Sequence, residues 1–213
     1  MTGPALPLTT IPATLDLAGI AVFALTGALL AAQLRQTFVT MAFFALVTGV
    51  GGGSIRDLLI GAPVFWIHDP LVAPVCLGTA LVVWFTPTHW WEGELLEWAD
   101  AAGLAAYSVL GTAKSLAYGV PLVPAVLMGV ITGCAGGIIR DVLAGRPSIV
   151  MRPELYVTAA ALSATLAAAL SSMEREFVWP LAMAAGFALR GAAIRKKLAL
   201  PAYRSRQRHS KSD

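Results

Sequence analysis

An all-α membrane protein of seven transmembrane helices, built as two inverted three-helix repeats plus a seventh helix, is the fold this sequence predicts. Three observations predict it. Of 213 residues, 57% are hydrophobic and only 13% charged, and the mean hydropathy of +0.74 lies far above that of a water-soluble domain. Seven apolar runs stand between turn residues or charges, each near the length of about 20 residues that a bilayer crossing needs. The second half of the chain also aligns with the first at a constant offset.

The elements follow in order. The N-terminal segment 1–13 lacks the positive n-region of a cleaved signal, so the first apolar run is expected to be retained as a span. Runs at 14–32, 38–60 and 70–86 make a first three-helix repeat over 14–98. Runs at 101–118, 122–144 and 154–171 make a second repeat over 99–175. The run at 177–194 gives a seventh helix, 176–195, and a basic tail, 196–213, follows it.

Arg195, Lys196, Lys197, Arg204, Arg206, Arg208 and Lys211 cluster after the last span, and Arg35, Arg146 and Arg152 fall in loops on that same side. Basic residues mark the cytoplasmic face, so the expected orientation in the cell (inner) membrane is N-terminus outside and C-terminus cytoplasmic. Glu92, Glu94 and Glu97 depart from the pattern, but acidic residues weigh little in that rule, and Trp90 and Trp91 beside them suit an interfacial belt. A basic tail on a membrane bundle is explained by orientation and by anionic lipid, so no nucleic acid is expected as a partner. Cys76 and Cys134 lie inside apolar runs and read as small hydrophobes. His68, His89 and His209 stand at span edges or in the tail. With no paired ligands, no nucleophile beside a base and no phosphate loop, the sequence offers no metal site, no cofactor and no enzyme chemistry.

Subtracting 84 from positions in the second half places Asp100 on Asp16, Gly103 on Gly19, Gly111 on Gly27 and Gly133 on Gly49. The same offset places Gly136 and Gly137 on Gly52 and Gly53, Arg140 and Asp141 on Arg56 and Asp57, Gly145 on Gly61, and Pro147 on Pro63. An odd number of spans per repeat makes the second repeat enter the membrane from the opposite side, which is inverted topology about an in-plane pseudo-two-fold axis.

Glycine costs about 1 kcal/mol against alanine in a helix, so GVGGGS in the second span and GCAGGI in the fifth are expected sites of bending or breaking near mid-membrane. Paired broken helices in inverted repeats point to a transport site, with freed carbonyls turned inward. The competing reading is that these glycines only allow close helix packing. Arg56 and Asp57 are sequence neighbours about 100° apart on a helix, so each is expected to need another partner. The pseudo-two-fold offers one, Arg56 with Asp141 and Arg140 with Asp57. Snorkelling to the headgroups would serve the arginines but not the aspartates, and an intramembrane carboxylate is a functional-site hypothesis by default.

GGGSIRD and AGGIIRD, at matching places in two three-helix repeats followed by a seventh helix, resemble the trimeric intracellular cation channel family in its short prokaryotic form, from about Asp16 to Arg195. The resemblance implies a homotrimer in which each subunit has its own pathway for monovalent cations, chiefly potassium, bounded by the kinked second and fifth helices. Potassium and sodium then enter as permeant ions. The ion-pathway candidates are Gly51, Gly52, Gly53, Ser54, Asp57, Gly136, Gly137, Asp141 and Lys114, with Arg56 and Arg140 as structural charges. The second copy departs from the family pattern, with Ala135 at the first glycine and Ile138 opposite Ser54.

Lys114 stands opposite Leu30 in the first repeat, with no acid adjacent to it. It either snorkels to the outer interface near Tyr118 and Gly119 or is a fixed positive charge in the pathway. Asp16 and Asp100, at the starts of spans one and four, read as vestibule charges or helix N-caps. Inverted repeats and broken helices suit an alternating-access carrier of a small solute such as glycine at least as well as a channel on physical grounds. The resemblance alone favours the channel.

Overall fold

The computed structural model describes residues 13–91 and 94–201; the expectations placed on 1–12, Glu92 and the tail from 202 onward lie outside the described residues. Eight α-helices are described: α1 Ala13–Gln33, α2 Phe38–Leu59, α3 Phe65–His68, α4 Val72–Phe85, α5 Leu95–Ala117, α6 Leu122–Leu143, α7 Val157–Ala169 and α8 Arg175–Lys196. Seven of them fall on the seven apolar runs, and α3 is a single turn between α2 and α4. Short 3₁₀ turns occupy Thr88–Trp91 and Ile149–Met151.

Four stretches are long and apolar enough to cross a bilayer by themselves: Thr14–Gln33, Phe38–Leu59, Leu122–Leu143 and Arg175–Lys196. The fifth helix is as long but carries Glu97, Asp100 and Lys114. The helices α4 and α7, of 14 and 13 residues, are short of the expected spans. At 1.5 Å per residue they reach about 20 Å, against a hydrocarbon core of about 30 Å. The missing length lies in the segments before them, 60–71 and 144–156, which fold back under the ends of α2 and α6.

One local device produces both fold-backs. Gly61 and Gly145 take φ of +69° and +64°, the left-handed conformation that glycine adopts without a Cβ penalty. The Ala62 N–H then donates to the Asp57 carbonyl at 2.8 Å, and Gly61 to Leu58 at 3.4 Å. In the second copy Arg146 donates to the Asp141 carbonyl at 3.0 Å, and Gly145 to Val142 at 3.0 Å. This is the Schellman arrangement, which ends a helix and turns the chain sharply. Gly119 ends α5 the same way at φ +77°, while its counterpart in the first repeat, Arg35 at φ +52°, makes the turn without glycine.

Within the first repeat, Ile20, Phe23, Ala24 and Ala28 of α1 pack on Phe44, Ala45 and Met41 of α2 and on Cys76 and Ala80 of α4. The second repeat has a smaller core of Leu104, Cys134, Ile149, Tyr156 and Ala160, on which Leu189 of α8 packs. Between the repeats, α2 lies directly against α6 and α1 against α5.

The expected break at the glycines is not what the structure holds: helical hydrogen bonding runs without interruption through Phe38–Leu59 and Leu122–Leu143. Close approach explains the glycines instead. A methyl group at Gly136 would come within 2.8 Å of the Thr48 carbonyl oxygen, and one at Gly52 would overlap the carbonyl oxygen of Thr132. Two backbones this near admit no side chain between them.

Candidate functional site

The chemistry-bearing residues gather in two buried clusters, one at the C-terminal end of α2 and one at the C-terminal end of α6. Asp57 has no solvent exposure. Its Oδ1 accepts from Arg56 Nη2 at 2.7 Å and Nε at 2.8 Å, and from Lys114 Nζ of α5 at 2.8 Å. Its Oδ2 accepts the Phe65 N–H at 3.0 Å, and the Phe65 ring lies under both cations, 6.0 Å from Arg56 and 5.9 Å from Lys114.

The second cluster repeats the plan. Asp141 Oδ1 accepts from Arg140 Nε at 3.0 Å and Nη2 at 2.9 Å, and its Oδ2 accepts the Ile149 N–H at 2.8 Å. Arg140 Nη1 reaches Asp100 Oδ1 at 2.7 Å.

Two pairing expectations are corrected by this geometry. Arg56 pairs with its own neighbour Asp57, and Arg140 with its own neighbour Asp141; the swapped pairs Arg56 with Asp141 and Arg140 with Asp57 do not form. Directions taken from the backbone understate the reach of an arginine, whose long stem carries its planar fork back onto the adjacent carboxylate. Lys114 does not snorkel free of an acid, because Asp57, 57 residues earlier in the chain, holds it in an ion pair.

Asp100 is not an N-cap either. It sits in the sixth position of α5, 1% exposed, and serves Arg140. Asp16 lies in the first turn of α1, where a carboxylate suits the positive end of the helix dipole, and Tyr107 Oη donates toward both its carbonyl and its Oδ1 at 3.2 Å. The Ser54 hydroxyl donates to the Val50 carbonyl at 2.8 Å and accepts from Trp66 Nε1 at 2.9 Å, so its proton and one lone pair are engaged within the first repeat.

Between the clusters runs the seam of α2 and α6. Thr48 and Thr132, 84 positions apart, face it, and each backbone carbonyl lies against the other repeat's glycine, Thr48 on Gly136 and Thr132 on Gly52. Such reciprocal contact, where i meets j and the counterpart of j meets the counterpart of i, is the signature of a two-fold relation. Gly51 lies against Ile139, Gly53 against the Phe65 ring, and Gly137 against Tyr156 Oη and Asp100. A void lined by Phe23, Thr48, Gly52, Tyr107, Thr132 and Gly136 has no room for a water molecule. The Thr48 hydroxyl is buried there without a hydrogen-bond partner among the described residues. On the α6 side a polar cavity of about 210 Å³ opens beside Arg140 and Asp141, bordered by Gln33, Glu97, Arg146 and Arg152.

Arg190 and Tyr156 belong to the second cluster and were not anticipated. Arg190 of α8 is wholly buried, 2.7 Å from Glu154 Oε2, and its guanidinium lies 5.4 Å from the centre of the Tyr156 ring. The available signal was an arginine inside the otherwise uncharged seventh span. Among the described residues no cluster of His, Cys, Asp and Glu could hold a metal ion.

The model of the family described as "Glycine transporter" matches twice, over residues 13–88 and 97–172, two segments displaced by the same 84 positions as the internal repeat. A UPF0126 membrane protein of Vibrio cholerae is 45% identical over 152 residues, covering 68% of this chain and 62% of that protein, less than two thirds of its length. The UPF0126 inner membrane protein YadS of Escherichia coli is 39% identical over 196 residues, 89% of this chain and 94% of its own. Among solved structures, the TRIC trimeric intracellular cation channel orthologue from Rhodobacter sphaeroides is 36% identical, with a TM-score of 0.81, over 89% of this chain and 100% of that one.

Proposed function

This chain belongs to the family described as glycine transporter, a multi-pass membrane protein and not an enzyme, and from that premise we propose that it is a potassium-permeable monovalent cation channel whose pathway runs within each subunit along the seam of α2 and α6. The likeness to the Rhodobacter sphaeroides cation channel, over the whole of that chain, is the observation that carries the reading. The reciprocal contacts of Gly52 with Thr132 and Gly136 with Thr48 support two inverted repeats about an axis through that seam, with α8 as the unpaired seventh helix. A homotrimer in the inner membrane, N-terminus outside, with anionic lipid at the basic C-terminal end, completes the proposal.

In this reading the conformation is closed. A dry seam separates two mouths, each lined by an aspartate that attracts cations and an arginine that fixes the aspartate in place. The unpartnered Thr48 hydroxyl fits such a site, because a buried polar group without a partner calls for an explanation, and a water or ion arriving on opening supplies one. Lys114 Nζ occupies the outer mouth as a tethered cation, at the position on Asp57 that a permeating ion would take.

The alternative, an alternating-access carrier of a small solute such as glycine, is favoured by the family description. Planar-bilayer recording of the purified protein separates the two. Unitary current steps support the channel; their absence alongside saturable solute uptake into liposomes supports the carrier.

A further inference from the structure

Phe23 of α1 and Tyr107 of α5 occupy equivalent positions of the two repeats, 84 residues apart, and their rings touch, with centroids 5.3 Å apart and planes inclined at 53°. A residue meets its own counterpart only where a two-fold axis passes. Each ring also lies over the glycine four residues before the other. A methyl at Gly19 would come 2.5 Å from Tyr107 Cε2, and one at Gly103 would come 3.1 Å from Phe23 Cε1. The ring contact is therefore reciprocal, like the contacts of the seam itself.

Both rings line the same waterless void as Thr48, Thr132, Gly52 and Gly136. Each is 2% exposed. Phe23 Cδ1 is 3.7 Å from where a methyl at Gly136 would stand. The two aromatic faces thus fill a dry void between the repeats, with the buried Thr48 hydroxyl beside them.

Resting on the channel reading above, we infer that Phe23 and Tyr107 are its gate, a two-ring plug that closes the pathway by keeping water out of the seam. Apolar constrictions stop ions without sealing the pore sterically, because an ion cannot leave its hydration shell for a dewetted segment. The two halves of the plug are unequal. Tyr107 is tethered through its hydroxyl to Asp16 at the start of α1, while Phe23 has no polar atom to tether. Opening moves the Phe23 ring freely and the Tyr107 ring only with loss of the Asp16 contact.

The test is single-channel recording in symmetric potassium chloride of wild type, Phe23→Ala, Tyr107→Ala, Phe23→Leu and Tyr107→Phe, each checked by thermal melting. Either alanine variant should raise open probability several-fold with little change in ion selectivity, and Tyr107→Phe, which keeps the ring and loses the tether, should raise it less. Should the alanine variants fail to fold, Phe23→Leu and Tyr107→Phe carry the test at nearly conserved volume. A conducting wild type whose folded variants keep its open probability overturns the gate alone. A wild type that passes no cations overturns the channel reading and the gate with it.

Discussion

Lys114 and Asp57 form a 2.8 Å ion pair between α5 and α2, and Lys114 has no cationic counterpart, because the equivalent position in the first repeat is Leu30. The two charged clusters therefore differ in composition although their Arg–Asp cores match. Removing the lysine takes a positive charge out of a largely buried ion-pair cluster, where charges interact more strongly than in water. Lys114→Ala should raise cation conductance or open probability and alter the voltage dependence, while Asp57 keeps Arg56 and the Phe65 N–H as partners. Lys114→Arg should retain the wild-type voltage dependence more closely. Recordings in the same lipid check both; identical current–voltage curves for wild type and Lys114→Ala would take this residue out of the pathway.

The observed pairing gives a double-mutant test. Arg140 and Asp100 are in direct contact, so Arg140→Ala and Asp100→Ala should be non-additive, with a coupling of about 0.5–3 kcal/mol. Arg56→Ala and Asp141→Ala, which share no contact, should add within about 0.5 kcal/mol. Thermal melts of the four single and two double variants in one detergent measure both cycles. Coupling of Arg56 to Asp141 as strong as that of Arg140 to Asp100 would contradict the pairing.

Glycine substitutions should sort by what a new methyl meets. At Gly52 and Gly136 it meets backbone carbonyl of the other repeat, which cannot yield without moving a helix. Alanine there should cost about 1–3 kcal/mol, the range of overpacking. Gly78 of α4 has open space at its Cβ position, and Gly78→Ala should be neutral or stabilise by up to about 1 kcal/mol. Melting temperatures of the three variants decide it, and equal losses at all three positions would contradict close packing at the seam.

Permeation should be cation-selective with weak discrimination between potassium and sodium. An aspartate is held in each of the two charged clusters, and the sequence holds no TVGYG ring of carbonyls to separate the two ions. Reversal potentials under a salt gradient measure this directly; a value on the chloride side would sink the proposed ion class.

Much of the fold was legible because it rests on periodic or repeated signals. Seven of the eight described helices fall on the apolar runs, and the 84-residue offset located both Arg–Asp motifs and the glycines of the seam. Local spacing misled in two places. Gly51, Gly52 and Gly53 suggested a broken helix, but their role is contact with α6 and the Phe65 ring, and nothing in the sequence of α2 alone states which helix faces it. The Arg56–Asp57 pairing was missed because side-chain direction at Cβ says little about where a long guanidinium ends. Long-range partners left fainter traces. Leu30 opposite Lys114 showed that the lysine was unusual without showing Asp57 as its mate. Arg190 was visible as a charge in an apolar run, while Tyr156 beneath it gave no signal, since a tyrosine at a helix start is unremarkable until its neighbours are known.

Asp57 closes the turn that follows it twice, once through its backbone carbonyl to Ala62 and once through its carboxylate to the Phe65 N–H, and Asp141 does the same to Arg146 and Ile149. Each aspartate thus acts as a ruler that fixes the chain length to its eighth successor. One residue inserted or deleted between 58 and 64, or between 142 and 148, would carry the wrong N–H to the carboxylate and slide Phe65 from beneath its two cations or Ile149 out of its core. These two short connections are intolerant of any change in length, and each also needs its glycine, Gly61 or Gly145, at the left-handed position.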